Sequence, residues 1–262
     1  MLKTRVITAI AALAIIAVVL FLLPRPWAEV VIGLLLLAGA WEWSGFLGLD
    51  RPGVRIAYTA VVAVCLAAVH TASPAQAESV LLVACAWWLA AFLWTFRFPT
   101  PIPTIARWVC GILVIVPLFV ALYMLLRLGV QYLLFILLIV WVADGGAFFA
   151  GKTFGRVKLA PAISPGKTWE GVVGGLLLVA LLAVAVALWR DINVGVLLPF
   201  CLAVAAISIV GDLTVSMFKR TAGIKDSGTL FPGHGGVLDR IDSVAAAAPL
   251  FVLGLDWLGI AW

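Results

Sequence analysis

The sequence predicts an all-α polytopic membrane protein of about nine transmembrane helices, its N-terminus cytoplasmic and its C-terminus on the opposite side. Two features of composition carry the class. Hydrophobic residues make up 65% of the 262 residues and charged ones 11%, whereas a soluble domain carries roughly 25% charge. Several apolar runs reach about 18 residues or more, the length that crosses a hydrocarbon core. A third feature, the placement of the cations, supplies the sidedness.

In chain order the apolar runs fall near 6–23, 27–47, 56–69, 80–96, 108–126, 132–150, 172–189, 194–218 and 244–260. The first follows Lys3 and Arg5 and imitates a signal peptide. Its length, and the lack of a small-residue cleavage site before Arg25, Pro26 and Trp27, favour a retained signal anchor. The third is the shortest, with His70 near its end. A cytoplasmic N-terminus places Lys3, Arg5, Arg51, Arg55, Arg97, Arg107, Lys152, Arg156, Lys158, Lys167, Lys219, Arg220, Lys225 and Arg240 inside. Only Arg25, Arg127 and Arg190 fall outside, so fourteen of the 17 cations face three. Lys and Arg are retained in cytoplasmic loops, and a missed or invented span would scramble this alternation.

The chain divides in chemistry. Residues 1–130 are apolar helices with short turns such as RFPTPIPTIAR, read as a scaffold. Residues 131–262 are read as the region that holds the active site, with polar residues gathered in two longer cytoplasmic loops. Cys65, Cys85, Cys110 and Cys201 lie inside apolar runs without CxxC or Cys/His pairing. They read as small hydrophobes rather than disulfides or zinc ligands. The net charge of +5 follows from the inside cations, and no nucleic acid partner is expected. GVVGG at 171–175 fits close helix packing through small residues.

The carboxylates of the second half converge. Asp144 lies in WVADGGAFFAG near the cytoplasmic end of the sixth span, Glu170 opens the seventh, and Asp212 sits just inside the end of the eighth. Asp226, Asp239 and Asp242 follow in KDSGTLFPGHGGVLDRID. Acids beside spans are costly and mark ion or substrate sites. Asp212, Ser216 and Lys219 are spaced i, i+4, i+7 and share one helix face, as do Asp239 and Asp242 at i, i+3. Two acid-bearing helix ends joined by a Gly-rich loop can hold a divalent ion, and hard oxygen donors suit Mg²⁺. Gly228, Gly233, Gly235 and Gly236 permit sharp turns and offer N–H groups to phosphate. Lys219, Arg220, Lys225 and Arg240 neutralise such an anion.

In SPGKTWEG the Walker spacing is absent, yet Lys167 and Thr168 are candidate phosphate contacts, and Pro165 with Gly166 reads as a turn. His234 reads first as an organiser of its loop through hydrogen bonds and second as a general base. Glu42, in the apolar WEW context, carries no assignment, and His70 and Glu78 lie at the opposite face. These residues point to a metal-dependent site for a phosphorylated ligand at the cytoplasmic boundary. A transporter would place its binding groups nearer the midplane, in repeated halves. A pure scaffold leaves the charged loops without a role.

The segment SMFKRTAGIKDSGTLFPGHGGVLDRID, residues 216–242, resembles the signature of bacterial phosphatidate cytidylyltransferases, also called CDP-diacylglycerol synthases. The pattern S-x-apolar-K-R-x4-K-D-x-small-x2-apolar-[PG]-x-H-G-G-apolar-x-D-R-apolar-D is met at every specified position. GDLT, SPGKTWEG and WVADGGAFFAGKTFGR resemble the family as well, so the likeness runs over about 131–243. The resemblance implies transfer of CMP from CTP to phosphatidate, giving CDP-diacylglycerol and pyrophosphate, with Mg²⁺ as cofactor and room for a second cation.

It implies Asp212 and Asp239 as leading metal ligands, with Asp144 and Asp242 in support. Asp212, Asp239, Lys219, Arg220 and Lys225 form the implied catalytic set, and Lys167, Thr168, Ser216, Gly235, Gly236, Arg240 and His234 the implied substrate contacts. It further implies a homodimer in the inner (cytoplasmic) membrane, its site facing the cytoplasm. Val215 stands where family members often carry a polar or acidic residue, and Gly145 where they carry a hydroxyl. The DGxxAR…GxxxDxxxD arrangement of CDP-alcohol phosphotransferases, which consume the same lipid, is absent.

Overall fold

A computed structural model describes residues 10–11, 13–48, 51–231 and 235–260. The helices are α1 (Leu13–Leu22), α2 (Arg25–Ser44), α3 (Pro52–His70), α4 (Pro74–Thr95), α5 (Thr104–Leu128), α6 (Val130–Phe154), α7 (Trp169–Arg190), α8 (Val194–Thr221) and α9 (Leu238–Trp257). Seven of them, α2 to α8, are long and apolar enough to cross a membrane. Large apolar side chains such as Leu34, Phe148, Leu181 and Leu188 point outward, which suits hydrocarbon rather than water. The molecule is therefore an all-α polytopic membrane protein, as the composition predicts. The short third run is a full helix of 19 residues.

Helix starts follow their local chemistry. Proline opens the first turn of α2, α3 and α4, where its missing N–H costs nothing. Ser73 and Gln76 close a capping box at the start of α4. α5 runs through the middle of the bundle, buried almost continuously from Val114 to Ala121. At the polar pole, Trp43 of α2 packs at 4.9 Å and a 48° tilt against Phe218 of α8, and its Nε1 donates to the Arg107 carbonyl.

The expected packing of GVVGG is found. A Cβ on Gly175 would approach the Ala143 carbonyl to 2.6 Å, and one on Gly171 the Ala147 carbonyl to 2.8 Å. α6 and α7 therefore touch backbone to backbone, as small residues permit. Between them lies a feature absent from the sequence reading, an antiparallel hairpin of β1 (Lys158–Ala160) and β2 (Ser164–Thr168). It corrects the expected turn at Pro165 and Gly166, since both lie within β2. The chain reverses instead at 161–163, where Ile163 N–H donates to the Ala160 carbonyl. The hairpin closes because its base is fastened twice: Trp169 N–H donates to the Val157 carbonyl, and Val157 N–H donates to the Glu170 carboxylate.

Candidate active site

The polar side chains meet where the hairpin and the ends of α2, α6, α8 and α9 converge. On α8 the spacing works as the sequence predicts. Ser216 Oγ donates to Asp212 Oδ1 at 3.1 Å, and Lys219 one turn on faces the same side. From β2, Lys167 Nζ reaches Asp212 Oδ2 at 2.6 Å, with the two side chains 25% and 28% exposed. Lys219 Nζ pairs with Asp239 Oδ1 at 2.7 Å, and here the side chains are only 9% and 7% exposed. The other Asp239 oxygen accepts the N–H groups of Ser227 and Gly236, each at 2.9 Å. Three donors on one carboxylate lock it in place, and removing either partner of so buried a pair leaves an uncompensated charge.

Asp144 on α6 has Asp212, Lys167 and Arg240 as its charged neighbours. Asp242, buried on α9, faces Asp212, Lys219 and Lys167, and one of its oxygens accepts the N–H of Ser243. The cluster thus draws Asp144, Lys167, Asp212, Ser216, Lys219, Asp239, Arg240 and Asp242 together from both polar loops.

Other expected site residues take structural positions. Thr168 is the N-cap of α7, its hydroxyl accepting the Gly171 N–H at 3.2 Å. Arg220 donates to the Ile163 carbonyl at 3.0 Å and the Ile224 carbonyl at 3.2 Å, tying the hairpin turn to the end of α8. Gly235 has a φ of +84°, its carbonyl accepts the Phe231 N–H, and a Cβ there would strike Asp239. The Gly236 amide is already engaged with Asp239. Lys225 lies exposed on the loop. Gly145 faces open space, and Val215 is buried. His234, with Lys3, Arg5 and Gly233, lies outside the described residues.

One partner carries little sequence signal. Glu42, in the last turn of α2, accepts hydrogen bonds from Ser227 Oγ at 2.8 Å and from the N–H groups of Val237 and Leu238 at 2.9 Å. A carboxylate at 42 and amides at 237 and 238 share no spacing rule. Its position beside tryptophans at the end of a span was the only available hint.

Among the described residues no three His, Cys, Asp or Glu side chains form a ready-made metal cage. Mg²⁺ does not need one, since it keeps several waters and takes one or two carboxylates. Asp144 and Asp212 fit that role. Both offer oxygen donors, they are electrostatic neighbours, and Asp144 makes no hydrogen bond among the described residues. The Lys167 ammonium already places positive charge on Asp212.

The family model described as "Cytidylyltransferase family" matches residues 3–258. This chain belongs to the cytidylyltransferase family. A "Phosphatidate cytidylyltransferase" of Pseudomonas aeruginosa is 44% identical over 260 residues, covering 96% of each chain. One of Haemophilus influenzae is 37% identical over 96% of this chain and 97% of its own. One of Staphylococcus aureus is 46% identical over 124 residues, about half of each chain. The family match spans nearly the whole chain, well beyond 131–243, so in this cytidylyltransferase the α2 segment bearing Glu42 lies inside the family region.

Proposed function

We propose that this chain transfers CMP from CTP to phosphatidate, releasing pyrophosphate and forming CDP-diacylglycerol. A phosphate oxygen of phosphatidate forms a new bond to the α-phosphorus of CTP. The bond from that phosphorus to the bridging oxygen breaks, and its electron pair leaves with pyrophosphate. The phosphatidate oxygen is already anionic near neutral pH, so the step needs alignment and charge neutralisation more than a base. The observation that carries this reading is the likeness, over 96% of the chain, to proteins named phosphatidate cytidylyltransferase. The interlock of cations and carboxylates from both polar loops, with Lys167 on Asp212 at 2.6 Å, suits the charge of the reactants.

Lys167, Lys219, Lys225 and Arg240 neutralise phosphate charge, and Ser216 orients Asp212. Asp144 and Asp212 would hold Mg²⁺, with Asp242 behind them and room for a second cation; Asp239, the other implied ligand, would sit beside that set with its three donors in place. Bound Mg²⁺ would supply charge neutralisation at the reacting phosphates. The excess of cations on one side supports nine spans, a cytoplasmic N-terminus, an outer C-terminus and a site facing the cytoplasm from the inner membrane. There a soluble nucleotide meets a lipid headgroup without either crossing the bilayer. A homodimer with contacts through residues 1–130 completes the proposal, with residues 131–262 supplying most of the site.

The test is purified protein with CTP, phosphatidate and Mg²⁺, followed by detection of CDP-lipid and pyrophosphate. Both are expected, and a chelator should stop their formation. Absence of both products across several detergents and divalent metals overturns the reading, and turnover that survives metal removal overturns the role given to Asp144 and Asp212.

A further inference from the structure

Glu42 is poorly placed for its own helix. It sits in the last turn of α2, where the helix dipole is negative and an acid is disfavoured. What offsets this is another helix. α9 has no side-chain cap of its own from its N-cap residue, and the Val237 and Leu238 amides at its start donate to Glu42 instead, each at 2.9 Å. Those amides are among the orphan donors that every helix start must satisfy.

The same carboxylate takes the Ser227 hydroxyl from the far end of the loop. Ser227 also donates its N–H to Asp239, and Asp239 takes the Gly236 N–H. Two carboxylates, one from each half of the chain, therefore grip the same two points of one loop. The glycines record how close the grip is, because a Cβ at Gly228 or Gly236 would run into the Glu42 carboxylate. Neither glycine has a positive φ, so space rather than backbone conformation requires them.

We propose that Glu42 is a positioning residue for the transfer reaction. It fixes Ser227 and the start of α9 so that the Asp239–Lys219 pair and Arg240 stand in register with Asp212. This rests on the function proposed above. It also makes the first half of the chain more than a scaffold, since the loop that carries the site is held from α2.

The test compares wild type, Glu42→Gln, Ser227→Ala and the double variant as full-length protein in detergent. Two readouts are taken: steady-state kinetics with CTP and phosphatidate, and amide hydrogen exchange by mass spectrometry. Gln keeps the size of Glu but offers a single acceptor oxygen, and its NH₂ cannot accept a backbone N–H. In Glu42→Gln, kcat should fall by about tenfold to a hundredfold, the scale of a small misplacement of reacting groups, while KM for each substrate changes by less than about threefold. Exchange should rise in peptides covering 225–241 and stay unchanged in α5 and α7. Ser227→Ala should add little in the Glu42→Gln background, because both remove the same grip.

Unchanged kcat, unchanged loop exchange, or exchange raised throughout the bundle each overturns the proposal. An inactive wild type with a loop that loosens on Glu42→Gln would instead sink the proposed function and leave the clamp standing.

Discussion

The two ends of the bundle both carry charge, and they use it differently. At the hairpin end, Lys219 and Asp239 meet at 2.7 Å with side chains under 10% exposed, and Asp239 and Glu42 each accept three hydrogen bonds. At the other end, Glu29 and Arg127 approach only to 3.9 Å, and the Arg127 side chain is 58% exposed. Arg127 lies over the Tyr123 ring at 4.4 Å, which His70 meets edge-on at 5.1 Å. The first arrangement fixes groups relative to one another. The second has the form of an interfacial anchor, an arginine and aromatic rings at a span's end. Counting donors per carboxylate, rather than counting charges, separates a site from an anchor.

That contrast breaks if variants at the two ends behave alike. Asp239→Asn should have the largest effect, abolishing CTP-dependent turnover to below about a hundredth of wild type, the scale set by losing one preorganised electrostatic contact. The protein should remain in the membrane fraction. Near-normal turnover by product assay would sink the role of the Lys219–Asp239 pair. Gly175→Val drives a branched side chain into the Ala143 carbonyl and should destabilise the α6–α7 contact by about 1–3 kcal/mol. A lower Tm in detergent, with activity lost in proportion to unfolding, is the expected result.

Thr168→Val removes the N-cap of α7 and should cost about 1 kcal/mol. If Thr168 instead contacts phosphate, KM for CTP will rise while Tm stays put, and the two measurements separate the roles. Arg127→Ala, at the far end, should be the mildest. Only Arg127 of this pair is exposed, at 58% against 10% for Glu29, so Tm should fall as the buried acid loses its partner, while kcat and KM should match wild type within about twofold. A loss comparable to Asp239→Asn would erase the distinction between the ends.

The positions of α2 to α8 are legible because each helix in hydrocarbon must satisfy its own backbone, so a long apolar run has one stable outcome. Small-residue packing at Gly171 and Gly175 and the Ser216–Asp212 bond were legible for the same reason, since both follow from spacing along a single helix. The hairpin was not. SPGKT carries two turn-forming residues, and only the backbone bonds across β1 and β2 hold Pro165 and Gly166 extended. Thr168 and Arg220 looked like phosphate contacts by residue type. In the fold, the Thr168 hydroxyl accepts the Gly171 amide and the Arg220 guanidinium donates to the Ile163 and Ile224 carbonyls.

From its sequence alone this protein declares a membrane bundle, the acids and cations that gather at one pole, and a signature running from Ser216 to Asp242. Local periodicity and hydropathy suffice for these, because each is decided within one helix or one loop. Tertiary structure alone decided which carboxylate answers which donor. Lys167 crosses from the hairpin to Asp212, and Glu42 meets amides 195 and 196 residues away. Those pairings depend on how the helices are arranged side by side, and a buried carboxylate is satisfied by whatever donors that arrangement brings to it.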